Sequence, residues 1–486
     1  MQYKGKTVLV YVILTMLATM LVTLAVVDRS LLRELSSRAG LVTAQGVVTE
    51  RLTSEELAKL NTVLSLIETK YYQPVDRELV VSGALNGMMA VLEDPYSVYM
   101  EHDAAEHFSE SIEGSFSGIG AEVSMENGQV IVVSAIKDSP AERAGLLPKD
   151  IILSVNGEKL DGLQLNEAVA KVRGPKGSKA ELEIQRGQRT QPIQVTVVRD
   201  EIDVETVFAE MLPGDIGKIE IRQFAMNTGE RFGEELATLE GQGMKGLIID
   251  VRNNPGGVLP VVVSVTEPFI RSGEPIVQIE DRNGEREQTV SKGSGKPYPL
   301  VVLTNKGSAS ASEVLAGALR ERADATVVGE TTFGKGTVQV SYNKVMSDGS
   351  LVKMTIAKWL TPDGNWVNET GIEPDIEVLP PDFYNAPRLS KEQTLKRDML
   401  GEEVRSAQLM LSGLGYNTGR KDGYYSEQTA QAVAAFQQSV SLPASGDLDE
   451  QTAERLEEAL ISWIRDDSND NQLDAAVEAL QKKLAE

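Results

Sequence analysis

The sequence predicts a multidomain α/β protein whose largest part is an α+β core. Three patterns predict it. Gly217-Lys218-Ile219-Glu220-Ile221 and Gly246-Leu247-Ile248-Ile249-Asp250-Val251 read as strands flanking a helical stretch over 228–242, a β-α-β unit. The apolar run Leu300-Val301-Val302-Leu303 reads as a buried strand, after which Ala311, Val314, Leu315, Ala318 and Leu319 recur at helical spacing. Short strand patterns crowd residues 113–200, and helical patterns return over 398–462. At 486 residues the chain has room for several domains.

The net charge of −24 argues against a nucleic-acid surface. The chain has no Cys, which fits an exported bacterial protein without deciding the compartment. Residues 8–27 carry no charge. At ~1.5 Å per residue they reach roughly 30 Å, the hydrocarbon thickness of a bilayer. Lys4 and Lys6 precede them, so the positive-inside rule puts residues 1–7 in the cytoplasm. A cleaved signal peptide is the competing reading. The apolar stretch is long for one, and Thr23-Leu24-Ala25-Val26-Val27 is too bulky for a cleavage site. The reading preferred is an uncleaved anchor, with everything after Asp28 outside the cytoplasm and a polar spacer over 28–50.

Residues 51–112 read as a helical N-terminal region. Thr53-Ser54-Glu55-Glu56 is a capping signature, and Leu57, Leu60, Val63, Leu64 and Ile67 form an apolar face. A second helical pattern covers 78–92 and is broken by Asp94-Pro95. An apolar helical face that cannot be buried alone predicts dimerisation. His102 and His107 read as surface residues, with no ligand cluster around them to hold a metal.

Residues 113–200 read as a small β-rich domain, with strand patterns at Val130-Ile131-Val132-Val133, Ile151 to Val155 and Ala180 to Ile184. Helical patches lie at 141–144 and 165–172. Arg173 puts a charge in the turn Val172-Arg173-Gly174-Pro175-Lys176-Gly177. Two readings stand: a solvated turn residue, or a regulatory one that reaches toward the core.

The core, residues 201–380, carries the chemistry. With no thiol, and with both histidines far upstream, a serine acyl-transfer centre here would leave lysine as base. Ser310 sits at the strand-to-helix junction, where helix N-terminal amides and the helix dipole favour a developing oxyanion. Lys335 lies between Gly334 and Gly336, and Gln339 follows on a strand-like alternation of Val338, Val340 and Tyr342. Lysine acts as a base only when its pKa falls, and desolvation in a closed cleft lowers it. After the strand at 246–251, Gly256 in Arg252-Asn253-Asn254-Pro255-Gly256-Gly257 would let a carbonyl approach the main chain.

Other readings compete. Gly329-x-x-x-x-Gly334-Lys335 approaches a phosphate-binding loop, but Gly336 stands where a hydroxyl should hold magnesium and a strand follows. Ser308 and Ser312 flank Ser310, so the G-x-S-x-G elbow is absent. Glu313 at the third following position excludes S-x-x-K. On the residues alone, a tightly packed Ser/Ala helix face remains open.

Ser308-Ala309-Ser310-Ala311-Ser312-Glu313, with Val328-Gly329-Glu330 and Phe333-Gly334-Lys335-Gly336-x-Val338-Gln339, closely resembles the C-terminal processing peptidases. The resemblance runs from about Leu52 to Pro380. It implies Ser310 as nucleophile, Lys335 as base, Gln339 as orienting residue, and an oxyanion hole from the amides of Gly256 and Ala311. It implies no metal or cofactor. Ser139-Pro140-Ala141-x-x-Ala144-Gly145-Leu146, with Asp150-Ile151-Ile152 and Val155-Asn156-Gly157, resembles a PDZ domain. In that resemblance Ser117, Gly118, Ile119 and Gly120 form the carboxylate-binding loop, and a strand edge pairs with the peptide. Arg173 would then couple peptide occupancy to the catalytic cleft.

Pro380, Pro381 and Pro387 mark a linker over 381–397. Gly401-x-x-Val404-x-x-x-Gln408, Leu414-Gly415-Tyr416, Asp422-Gly423-x-Tyr425 and Thr429-x-x-Ala432-Val433-x-x-Phe436-Gln437 resemble a three-helix peptidoglycan-binding domain over 398–462. Val404, Leu411, Leu414, Val433 and Phe436 would fill its core, leaving Tyr424 or Tyr425 to stack on sugar. Residues 463–486 read as an acidic, partly helical tail with no evident role. The resemblances together imply a membrane-anchored serine endopeptidase that takes protein C-termini, near a cell wall. The alternative is a catalytically silent scaffold with the same binding modules.

Overall fold

The computed structural model describes residues 51–485, apart from 127, 137–138, 188–190 and 343–345. The expected anchor over 8–27 lies outside the described residues. Among the described residues no helix is long and apolar enough to cross a membrane.

The chain divides into two compact units, 1–84 and 85–486. In the first, α1 (Ser54–Lys70) starts on a capping box: Thr53 Oγ1 accepts from the Glu56 amide, and Glu56 accepts from the Thr53 amide. Leu57, Leu60 and Val63 are exposed along it. Helix α2 (Arg77–Ala90) runs across the division.

In the second unit, β1 (Val98–Met100), α3 (His102–Glu113) and β2 (Ser115–Gly118) lead into a β domain. That domain comprises β3 (Ala121–Glu126), β4 (Gln129–Ala135), α4 (Pro140–Arg143), β5 (Ile151–Val155), β6 (Glu158–Lys159), α5 (Leu165–Val172), β7 (Lys179–Gln185) and β8 (Ile193–Val198). Its sheet runs β3-β4-β5-β7-β8, so β3 is an edge strand. Val132, Leu182, Ile184 and Ala168 lie in its core.

The core follows as β9 (Asp200–Asp203), β10 (Val207–Leu212), β11 (Ile216–Ile221), α6 (Thr228–Gly241), β12 (Gly246–Asp250), α7 (Leu259–Thr266), β13 (Pro275–Asp281), β14 (Arg286–Val290) and β15 (Leu300–Thr304). It continues through α8 (Ala311–Arg322), β16 (Thr326–Gly329), β17 (Thr337–Tyr342), β18 (Leu351–Leu360) and β19 (Ile376–Glu377). Six strands form the central sheet, β10-β11-β12-β15-β16-β19, parallel from β11 onward. A second sheet centres on β18, which pairs with β1, β13 and β17.

Strand alternation sends the central sheet's side chains to two covers. Leu247, Ile249, Leu300 and Val302 join Val262, Leu315 and Leu319 of the helices on one face. Ile248, Val301 and Leu303 join Leu473, Ala476 and Leu480 on the other. Those last three belong to α12 (Asn471–Ala485), which follows α9 (Glu402–Gly413), α10 (Glu427–Ser439) and α11 (Glu450–Ile464). Residues 463–486 are therefore more than an acidic tail. Their helix packs on the protein's main sheet, because a parallel sheet buried on both faces needs two apolar covers.

The stretch read as a linker also packs. Phe383, Leu389 and Leu395 are buried in the core of the three-helix domain, together with Val404, Leu411, Val433 and Phe436. Leu414 is partly buried against that core.

Candidate active site

Two turns emerge side by side from the carboxyl ends of the adjacent parallel strands β12 and β15, where Asp250 pairs with Leu303. Open α/β sheets place their ligands at such ends. The first turn carries Gly256, the second Ser310. Hydrogen bonds cross-link them. Ser308 Oγ donates to the Val251 carbonyl at 2.8 Å, Ser312 Oγ to the Asn254 carbonyl at 2.9 Å, and the Ala309 amide to the same carbonyl at 3.0 Å. Asn253 and Asn305 exchange two more.

Ser310 has φ +54°, a left-handed conformation uncommon for a residue with a side chain. It precedes the first residue of α8, so the Ala311 amide has no intrahelical acceptor. Gly256, with φ +104°, lies against this junction. A Cβ there would stand 2.9 Å from Ser310 Cβ and 3.0 Å from the Ala311 nitrogen. The Gly256 amide itself donates to Asn254 Oδ1 at 2.9 Å. The expected pair of oxyanion donors is thus brought together, but one of them is engaged by an asparagine side chain.

Glu313, fully buried, binds the Ser310 turn to the loop that carries Lys335. Its Oε2 accepts from the Ser310 amide at 2.7 Å and the Lys335 amide at 2.9 Å. Its Oε1 accepts from the Gly334 amide and Thr332 Oγ1, both at 2.7 Å. Carboxylates can accept at all these positions and donate at none. A cavity of about 680 Å³ opens here, lined by Ser310, Ala311, Gly256, Lys335, Gln339 and Lys353 among others.

The Lys335 ammonium lies 4.7 Å from the centroid of the Tyr96 ring, and no hydrogen bond joins it to Ser310 among the described residues. Desolvation holds its pKa below the usual lysine value and the neighbouring Lys353 adds to that, while Asp94 and Glu313 oppose. The Gln339 amide donates to Thr337 Oγ1 at 2.8 Å and Thr355 Oγ1 at 3.1 Å. No hydrogen bond joins it to the lysine amine among the described residues, and a bulge lies between Val338 and Gln339.

The chain is 46% identical over 426 residues to the carboxy-terminal processing protease CtpB of Bacillus subtilis, covering 87% of this chain and 88% of that one. It is 41% identical to CtpA of the same organism over 88% of this chain and 90% of that one. The chain belongs to peptidase family S41. It is a serine-type carboxy-terminal processing protease. The family S41 profile matches residues 215–378, a PDZ profile 131–186, a CtpB N-terminal-domain profile 18–104 and a putative peptidoglycan-binding profile 401–456. Among solved structures, the photosystem II D1 C-terminal processing protease matches at 29% identity and TM-score 0.40, over 67% of this chain and 94% of that one.

In the PDZ domain of this S41 protease, Ser117 and Gly118 are not loop residues. They lie in β2 and pair with Glu201 and Asp200, since β2 and β9 form a two-stranded ladder. Only Ile119 and Gly120 make the turn into edge strand β3. Gly120 has φ +75°, and a Cβ there would fall 2.3 Å from Ser139 Cβ, so the turn requires glycine. Arg173, half-buried, does not touch Ser310, Lys335 or Gln339. It donates to Glu110 of α3 at 2.5 Å and lies 5.0 Å from the Phe116 ring centroid. Helix α3 in turn lines the catalytic cavity through Phe108, Ser111 and Ile112.

Tyr425 is fully buried and donates to the Gly446 carbonyl, which removes it as a sugar platform. Tyr424 is half-buried, with its hydroxyl on Asp398 and the Arg420 guanidinium 4.8 Å from its ring centroid. His102 and His107 are exposed, and no group of metal-ligand residues occurs among the described residues. Sequence reasoning missed Glu313, Tyr96 and Asn254. The S-x-x-E spacing of Ser310 and Glu313 is the capping-box pattern and was a usable signal for the first. Asn254, two residues before Gly256, sits in an Asn-Pro-Gly turn whose side chain bonds its own backbone, also a usable signal, whereas Tyr96 carried none because its role comes from a distant chain segment.

Proposed function

We propose that Ser310 and Lys335 form the catalytic dyad of this protease and that its PDZ domain presents protein C-termini to them. The observation that supports this is the shared Glu313 carboxylate, which holds both residues' backbones at one cavity. Neutral Lys335 removes the Ser310 proton as Oγ attacks the scissile carbonyl. The resulting oxyanion is met by the Ala311 amide and by Gly256, once the latter is released from Asn254. The tetrahedral intermediate collapses, the peptide C–N bond breaks, and the Lys335 ammonium protonates the leaving amine. Lys335 then takes a proton from water, hydroxide attacks the acyl ester, and Ser310 is restored. Gln339 would orient the amine as it moves from Tyr96 toward Ser310.

An uncleaved anchor over 8–27 would hold the enzyme in the cell membrane, with its catalytic part outside the cytoplasm and residues 398–462 on peptidoglycan. The exposed apolar row of α1 suits a homodimer. Envelope protein processing and regulated cleavage of a signalling protein both fit this placement. Digestion of β-casein by the wild type, Ser310→Ala and Lys335→Ala tests the dyad. Each variant should lose at least about 10³-fold in kcat. Cleavage at the wild-type rate by either one would refute it.

A further inference from the structure

The four family profiles end at residue 456, yet the chain returns afterwards to the protease core. Arg252, on the turn that leads to Gly256, is almost enclosed, with a side-chain exposure of 16%. Its guanidinium donates to both Asp250 oxygens, at 3.0 and 2.6 Å, and to both Asp470 oxygens, at 2.9 and 2.7 Å. Nη1 also reaches Gln472 Oε1 at 3.1 Å. Asp470 in turn accepts from the Gln472 and Leu473 amides, so the same carboxylate caps α12.

The chain's departure and return are stitched together. Asn471 Nδ2 donates to the Leu379 carbonyl and Gln472 Nε2 to the Val378 carbonyl. The three-helix domain is therefore inserted between β19 and α12, rather than appended. Leu473, Ala476 and Leu480 then seal the second face of the sheet that carries both catalytic turns.

We propose that Asp470 is a positioning residue for catalysis. It acts through Arg252 to hold the 252–257 turn, and with it Gly256, in register with Ser310. Bidentate guanidinium–carboxylate pairs fix orientation as well as distance. Here one guanidinium serves two carboxylates, one at the end of β12 and one on the returning chain. Loss of the second leaves the Arg252 guanidinium tied to its own strand alone. The cross-links from Asn253 and Asn254 would then carry the error to the nucleophile junction. This inference rests on the dyad reading, and Ser310→Ala in the same assay tests that reading separately.

The experiment measures kcat and KM on β-casein for the full chain bearing Asp470→Asn, Asp470→Glu or Leu480→Ala, with melting temperatures alongside. Leu480→Ala weakens the same helix without touching Arg252. The expected result is a loss of tenfold or more in kcat for Asp470→Asn at unchanged KM. Most of it should be recovered in Asp470→Glu, while Leu480→Ala melts earlier but keeps its kcat. A kcat within twofold of wild type in folded Asp470→Asn overturns the proposal. So does a fall in kcat that follows melting temperature equally in Asp470→Asn and Leu480→Ala. Should Asp470→Asn fail to fold, Arg252→Lys, which keeps the charge and loses the fork, is held to the same criteria. An active Ser310→Ala would sink the dyad, and with it the role given to Asp470, whatever the Asp470 variants show.

Discussion

Ser310 and Lys335 are bound to a single oxygen, Glu313 Oε2, through main-chain amides 2.7 and 2.9 Å away. Neither contact involves a side chain of Ser310 or Lys335. The carboxylate sets where the two backbones start, and the side chains work from there. Glu313→Gln replaces part of the acceptor surface with an NH2 that faces amide donors. Each buried donor left unmatched costs about 1–3 kcal/mol. A displacement of about 1 Å at a reacting centre can cost roughly 100-fold in rate. Glu313→Gln should therefore lower both melting temperature and kcat, whereas Ser310→Ala lowers kcat with a smaller effect on stability. Calorimetry and steady-state kinetics on the two variants check this.

The pH dependence follows from Lys335. Desolvation, and then Lys353, lower its pKa. Below that pKa the amine is protonated and cannot accept the serine proton; above it the amine is free. kcat/KM should rise with pH through this value. Lys353→Met keeps the apolar stem and removes the like charge, so the rise should move to higher pH. A pH–rate profile that stays in place would show that Lys353 has no influence on the base.

The same shift has a consequence for stability. Holding Lys335 in a desolvated site opposes its charge, and that cost is fully present below the lowered folded pKa. It disappears as pH rises toward the unfolded value, about 10.4. Lys335→Met should therefore melt at a higher temperature than wild type at pH 7, with the gap narrowing in alkaline buffer. Thermal melts at a series of pH values read this directly.

Arg173 links the PDZ domain to α3 through Glu110, and α3 lines the catalytic cavity. Arg173→Ala should keep its affinity for a C-terminal peptide but lose the stimulation that peptide gives to casein cleavage. Glu110→Gln should act in the same direction. Calorimetric titration of the peptide, paired with turnover in its presence, separates binding from coupling.

Gly256 is held within van der Waals reach of the nucleophile junction at a φ that disfavours side chains. In Gly256→Ala the new Cβ would meet the Ala309 carbonyl at 2.8 Å as well as Ser310. A fall in kcat of about 10²–10³-fold is expected, the scale of one lost oxyanion donor. KM for casein should move little, because the PDZ groove is untouched. An active Gly256→Ala would place the oxyanion site elsewhere.

By itself the sequence determined the β-α-β unit over 217–251, the strand and helix that flank Ser310, the three-helix domain and its apolar residues, and the Ser310 to Gln339 stretch. It could do so because each is written in local signals: periodicity, turn residues and short motifs. Tertiary structure alone decided the rest. It showed that Gln339 faces Thr355, that Tyr425 is core, and that the last helix covers the sheet behind the turns carrying Gly256 and Ser310. None of these is local. Asp470 and Arg252 lie far apart in the chain, and only a sheet needing apolar cover on both faces brings them together.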